Sequence, residues 1–151
     1  MKNKIFYFFI ILLITNCGFT PMYDGGEKLD YYILISNKEG EKVINNLISD
    51  EIRRYSNPNS QNKVTVSIST TYNKIILTKN SKGSVTDFRI EMIANFEIQN
   101  KERIKNITFK DKQDIKNNSD VFEQKNIEDI TKKNFAISAA DRFRLAMLDY
   151  K

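Results

Sequence analysis

The 151-residue chain has no histidine and no tryptophan, one cysteine, two prolines and five glycines. Without histidine, and with Cys17 the sole thiol, zinc sites built from His and Cys are excluded. So are Ser-His-Asp and Cys-His catalytic arrangements. The five glycines form no Walker loop, dinucleotide fingerprint or Gly-x-Ser-x-Gly elbow. A carboxylate pair would suffice for some hydrolases, but the 19 acids are scattered and no spacing selects a pair. The chain is therefore expected to be no enzyme and to need no metal or cofactor. Long apolar runs are scarce too. The single one, Ile5 to Ile14, is ten residues long, against the roughly 20 a helix needs to cross a bilayer.

That run follows the basic Met1-Lys2-Asn3-Lys4 and is followed at once by Ile14-Thr15-Asn16-Cys17-Gly18. A basic stretch and a short apolar core describe a secretory signal. A lone cysteine in an exported chain is a free thiol, an intermolecular link or a modified residue. Here it stands where bacterial lipoprotein processing would use it, and the region resembles a lipobox. Ile14 and Thr15 fit its first two positions, whereas Asn16 departs from the usual Gly or Ala. The competing account is an uncleaved signal anchor with an incidental cysteine. Residues 1–16 are expected to be the signal peptide, 17–30 a lipidated tether and 31–151 a single domain.

Cleavage before Cys17 leaves 135 residues, enough for one domain with a core, and lowers the formal charge from +5 to +3. A pI near 9.2 would ordinarily raise nucleic acid as a partner. Export argues against it, and lysine, asparagine and isoleucine are what an AT-rich genome favours. No nucleic-acid partner is expected. The surplus of positive charge suits an anionic lipid.

Along the mature chain, Tyr31 to Ile35 is a β-branched and aromatic run, a first strand. Val43, Ile44, Leu47, Ile48, Ile52 and Tyr55 recur at helical spacing between Glu41 and Tyr55. The helix is expected to end at Ser56-Asn57-Pro58. Val64, Val66 and Ile68 alternate with polar residues, and the alternation slips near Asn73, where a bulge or bend is expected before Ile75-Ile76-Leu77. After a turn at residues 80–84, Phe88, Ile90, Met92, Ala94, Phe96 and Ile98 share one strand face. A shorter strand with Ile104, Ile107 and Phe109 follows, then a polar loop from Asp111 to Ser119. Ser119 or Asp120 would cap a long helix reaching about Tyr150. In that helix Ala136, Ala140, Phe143 and Met147 form a stripe, widened by Ile130, Ile137 and Leu148. The order β-α-β-β-β-α predicts an α+β domain, two helices on one face of a four-stranded sheet. The last three strands should form an antiparallel meander, since their connections are too short for crossovers.

Three segments together resemble the LptE family, the lipopolysaccharide-assembly lipoproteins of Gram-negative outer membranes. Cys17-Gly18-Phe19-Thr20-Pro21-Met22-Tyr23 is similar to the Cys-Gly-Phe-x-Pro-Leu-Tyr start of alphaproteobacterial members. The hairpin from Thr78 through Phe88 and the alternating strand to Ile98 are the second. The third is Ala139-Ala140-Asp141-Arg142 in the last helix. The resemblance implies an outer-membrane lipoprotein, anchored through acylated Cys17, that plugs and helps assemble an LptD-like β-barrel and contacts lipopolysaccharide. It implies basic contact residues near the turn at residues 80–84 and near the start of the last helix. By position these are Lys79, with Lys82 as an alternative, and Lys125. A different class of reading is a periplasm-facing lipoprotein that binds another protein, such as a transporter accessory.

Each buried methylene of a lipid chain contributes about 0.8 kcal/mol, and one chain alone holds only marginally. A multiply acylated Cys17 is therefore expected at the mature N-terminus. Intact mass of membrane-extracted protein checks this; a free thiol with the leader still attached would refute it.

Overall fold

The computed structural model describes residues 28–101 and 103–150. The leader, Cys17 and the tether through residue 27 lie outside the described residues. The elements are β1 (Tyr32–Gly40), α1 (Lys42–Tyr55), β2 (Lys63–Lys79), β3 (Val85–Gln99), β4 (Ile104–Lys116) and α2 (Val121–Leu148). The strands lie in the order β1-β2-β3-β4. β1 is parallel to β2, with α1 as the crossover, and β2, β3 and β4 form the expected antiparallel meander. The fold is α+β, as the pattern predicts.

Local chemistry sets the corners. The Glu41 carboxylate caps α1 by accepting from the Ile44 amide at 2.7 Å. Asp120, not Ser119, caps α2, accepting from the amides of Phe122 (2.8 Å) and Glu123 (3.1 Å). At the β1–α1 corner Gly40 has φ +90°, and a Cβ there would stand 1.8 Å from the Thr70 carbonyl oxygen. Only glycine fits so close a backbone approach. In the β2–β3 turn Asn80 Oδ1 accepts from the amides of Lys82 (2.9 Å) and Ser84 (3.0 Å). Gly83 supplies the positive φ.

The core lies between the helices and the inner sheet face. Ile44, Ile48 and Ile52 of α1, Val64, Val66 and Ile68 of β2, and Ile90, Met92, Ala94, Phe96 and Ile98 of β3 are all buried. From α2 come Phe135, Ala136, Ala139, Ala140, Phe143 and Met147. The Phe96 and Phe143 rings meet at 5.4 Å, and Phe109 and Phe135 at 5.3 Å. Phe88 and Leu47 pack on this core while only partly buried.

Four expectations need correction. Ile130, Ile137 and Leu148 do not widen the buried stripe; they are exposed. At 3.6 residues per turn, Ile130 and Leu148 share one line along α2, with Ile137 beside it and Ala139 diametrically opposite. Val43 is likewise exposed on α1. The bulge in β2 falls at Leu77, between Ile76 and Thr78, and not near Asn73. Finally, Asp111 to Lys116 is strand, not loop, in register with β3 up to the Asp87–Lys116 pair. Directly opposed charges take the place of apolar alternation there: Arg89 with Asp114 at 2.7 Å and Glu91 with Lys112 at 2.8 Å. Such cross-strand pairs support a ladder whose outer side chains are polar.

Phe96 is 1% exposed, so Phe96→Ala should cost roughly 3–5 kcal/mol, in the range of other buried phenylalanines. Urea unfolding of the two proteins reads this directly, and a loss well under that range would show that the cavity collapses.

Candidate functional site

Strand direction gives the domain two ends. The turn between β2 and β3, the end of β4 and the start of α2 meet at one of them, the distal end. Asn117 holds them together: its amide donates to the Thr86 carbonyl at 2.8 Å and its Nδ2 to the Val85 carbonyl at 2.9 Å. The Gln124 side chain then accepts from the Asn118 amide at 2.8 Å, which fixes the first turns of α2 over the sheet.

Lys79 ends β2, Lys82 lies in the turn, and Lys125 lies in α2 soon after its cap, so the fold brings all three to this end. The ammonium groups of Lys79 and Lys82 are exposed and form no ion pair among the described residues. Lys125 differs. It pairs with Asp129 at 2.6 Å on the same helix face, and that hydrogen bond, with the Asp129 charge, holds its pKa above the usual lysine value.

The distal end also carries apolar side chains absent from the sequence-based site. Val121 and Phe122 are 83% and 81% exposed in the first turn of α2. Ile75, Ile76 and Leu77 are exposed on β2 nearby; Ile76 is on the inner face opposite Phe88, and Ile75 on the outer face opposite Arg89. At 3.6 residues per turn both stand in line with the buried Ala139 and Ala140, so periodicity places them on the core face and their exposure had no signal in the sequence. Acids are present as well. Asp87 accepts from the hydroxyls of Thr78 and Thr86, which lower its pKa.

Behind this surface a polar latch joins α2 to β2. Glu128 accepts from Lys74, from Gln124 Nε2 at 2.9 Å and from the Tyr72 hydroxyl at 3.2 Å. Lys132 pairs with Glu41 at 3.3 Å and lies 4.6 Å from the centre of the Tyr72 ring, while Lys74 lies 4.0 Å from that of Phe88. Burial raises the Tyr72 hydroxyl pKa, and the Glu128 charge and hydrogen bond raise it further. For Glu128 burial is the largest influence and acts upward, but the hydrogen bonds from Lys74, Gln124 and Tyr72 together outweigh it. The carboxyl is held below the ordinary value of 4.5.

No group of three or more Asp, Glu, His or Cys able to hold a metal occurs among the described residues. The outer sheet face is polar, as expected from Thr65, Ser67 and Ser69. It carries an open groove of about 450 Å³ lined in part by Asn37, Glu39, Ser67, Ser69, Asn95 and Thr108. Ser36 and Ser67 hydroxyls bond at 3.1 Å, and Thr108 donates to Asn95 at 2.8 Å. No described helix is long and apolar enough to cross a membrane.

The architecture recurs in solved structures. Rare lipoprotein B from Shewanella oneidensis superposes with a TM-score of 0.57 at 13% identity, over 78% of this chain and 95% of that one. A protein from Caulobacter crescentus CB15 proposed to be a lipoprotein superposes with a TM-score of 0.54 at 8% identity, over 80% and 89%. The fold is shared. The sequence itself matches no family model and no curated protein.

Because the folded-state pKa of Glu128 is depressed, its contribution to stability is present above pH 4.5 and is lost as pH falls through the folded value. Glu128→Gln should therefore flatten the acid limb of stability against pH below about 4.5, leaving a residual slope from groups such as Asp87 and Asp114. Denaturant midpoints of both proteins across that range check this. An unchanged limb would remove Glu128 from the account.

Proposed function

We infer that this protein is a non-enzymatic lipoprotein of the LptE kind. It is anchored to the outer membrane through acylated Cys17, binds within the polar lumen of an LptD-like β-barrel and assists its assembly. Its distal end contacts lipopolysaccharide on the way to the cell surface. One observation carries the reading: the distal end joins unpaired lysines, Lys79 and Lys82, to the exposed apolar Val121 and Phe122. Lipid A presents the complementary pair of chemistries, phosphates and acyl chains. An ammonium beside a phosphate forms a charge-assisted hydrogen bond, and apolar side chains next to it give the acyl chains a surface to cover. The polar outer sheet face suits a polar lumen, and the shared fold with two proteins described as lipoproteins is in keeping with the anchor.

The lysines do not contribute equally. Lys125 already has Asp129, so a lipid phosphate must compete for it; Lys79 and Lys82 are free to bind at once. Reversal of Lys79 and Lys82 to Glu should weaken lipopolysaccharide binding more than Lys125→Glu does, most visibly at low salt where exposed charges are least screened. Unfolding midpoints should barely move. Binding that is indifferent to all three reversals would remove these residues from the site. The plug role has its own test, in which acylated protein is pulled down from detergent-solubilised outer membrane. A large heat-modifiable barrel should come with it, and its absence would favour the alternative of a lipoprotein serving another periplasmic protein.

A further inference from the structure

The opposite, proximal end is where the chain enters the domain. The Leu29 amide donates to the Tyr55 carbonyl at 2.8 Å and the Leu29 side chain is buried. The Tyr31 ring meets Tyr150 edge-on at 6.0 Å. Lys28 is thereby fixed beside the last turns of α1 and α2. Ten residues lie between it and Cys17, a reach of at most about 40 Å over eleven steps even fully extended. The same end exposes a second set of large apolar side chains: Ile104 at the start of β4 (61%), and Leu145 (48%) and Leu148 (53%) at the end of α2.

We propose that, before a barrel takes up the domain, this proximal end rests on an anionic phospholipid surface, with Ile104, Leu145 and Leu148 dipping into the headgroup layer. The proposal rests on the lipoprotein reading given above. A groove of about 260 Å³ between β4 and α2 runs between the apolar residues, with Lys105 and Arg142 among its lining. The Lys105 ammonium donates to the Ala146 carbonyl at 2.9 Å, so positive charge is held at the helix end beside Leu145. Lys28, Lys63 and Lys101 are exposed at the same end. Asp30 and Asp149 oppose them, while Asp50 and Glu51 are paired with Arg53 and Arg54 on α1. Apolar side chains ringed by lysine and arginine are the composition of a surface that lies in a bilayer interface. The distal end is apolar and basic too, but it stands about 56 Å away along β2 at 3.3 Å per residue. In the free domain the tether starts from the proximal end, which makes that end the one nearer the membrane.

Full-length acylated protein in vesicles of phosphatidylethanolamine and phosphatidylglycerol, doped with a spin-labelled lipid, tests this. A fluorophore is placed in turn on Ile104→Cys, Leu148→Cys and, at the distal turn, Ser81→Cys, and intact mass is recorded for each preparation. Lipid quenching should be several-fold stronger at positions 104 and 148 than at 81. Lys28→Glu with Lys101→Glu should reduce it in anionic vesicles and leave it unchanged in neutral ones. Acylated protein with equal quenching at all three positions, or with the strongest at 81, overturns the membrane-facing surface and leaves the lipoprotein reading standing. Quenching indifferent to the two charge reversals overturns the choice of an anionic surface. A mass showing Cys17 unmodified overturns both readings together.

Discussion

A mismatch of lengths governs this structure. The 17 residues of β2 span about 56 Å as strand, whereas the 14 residues of α1 span about 21 Å and the 28 of α2 about 42 Å. Two helices can cover only the proximal part of the sheet. In β2 every second residue from Val64 to Thr70 is buried, and beyond Thr71 none is. Beyond the reach of α1 the long hairpin has α2 alone for cover, and the buried side chains there, Ile90 and Ile115, come from β3 and β4 and not from β2. The exposed Ile75, Ile76 and Leu77, the Glu128 latch and the basic turn all lie in that thinly covered stretch.

The second helix is where patterning misleads. α2 is apolar on two opposite sides, Ala139 and its neighbours inward, and Ile130, Ile137 and Leu148 outward. A stripe read from one side absorbs the other, because periodicity counts apolar residues without saying which face meets the sheet. The deciding information is steric. Ala136, Ala139 and Ala140 admit a close approach to β3 and α1, whereas Ile130 and Leu148 on the far side have no element to meet. Ile137 is left at the margin for the same reason.

Where alternation was strong, the sequence was enough. The alternation from Phe88 to Ile98 marked the inward face of β3, and the short links on either side implied the meander. The end of β4 was not legible as strand because Asp111 to Lys116 has no apolar alternation; its partner in β3 supplies the reason for its extension through Arg89–Asp114 and Glu91–Lys112. For the site, the turn at 80–84 and the start of α2 could be placed, so Lys79, Lys82 and Lys125 were found at one end. Their inequality was legible in part, since Lys125 and Asp129 stand four apart and share a helix face; that Lys79 and Lys82 form no ion pair among the described residues depends on the packed domain. Val121 and Phe122 were visible as residues but not as a surface, because exposure is a property of the packed domain.

The latch bears on why the distal end is built from charges at all. The Lys74–Glu128 pair is only partly buried, and pairs open to solvent contribute little, so Lys74, Glu128 and Gln124 are not explained by stability alone. Apolar substitutes there would add to the apolar surface on the inner face beside the exposed Ile76, and large contiguous patches promote association. With polar groups between helix and hairpin, the apolar residues remain divided into small clusters around a basic turn. That division lets the free domain carry lipid-facing side chains before any partner covers them. It also ties the orientation of Val121 and Phe122 to Glu128, because the latch is what holds the first half of α2 against β2.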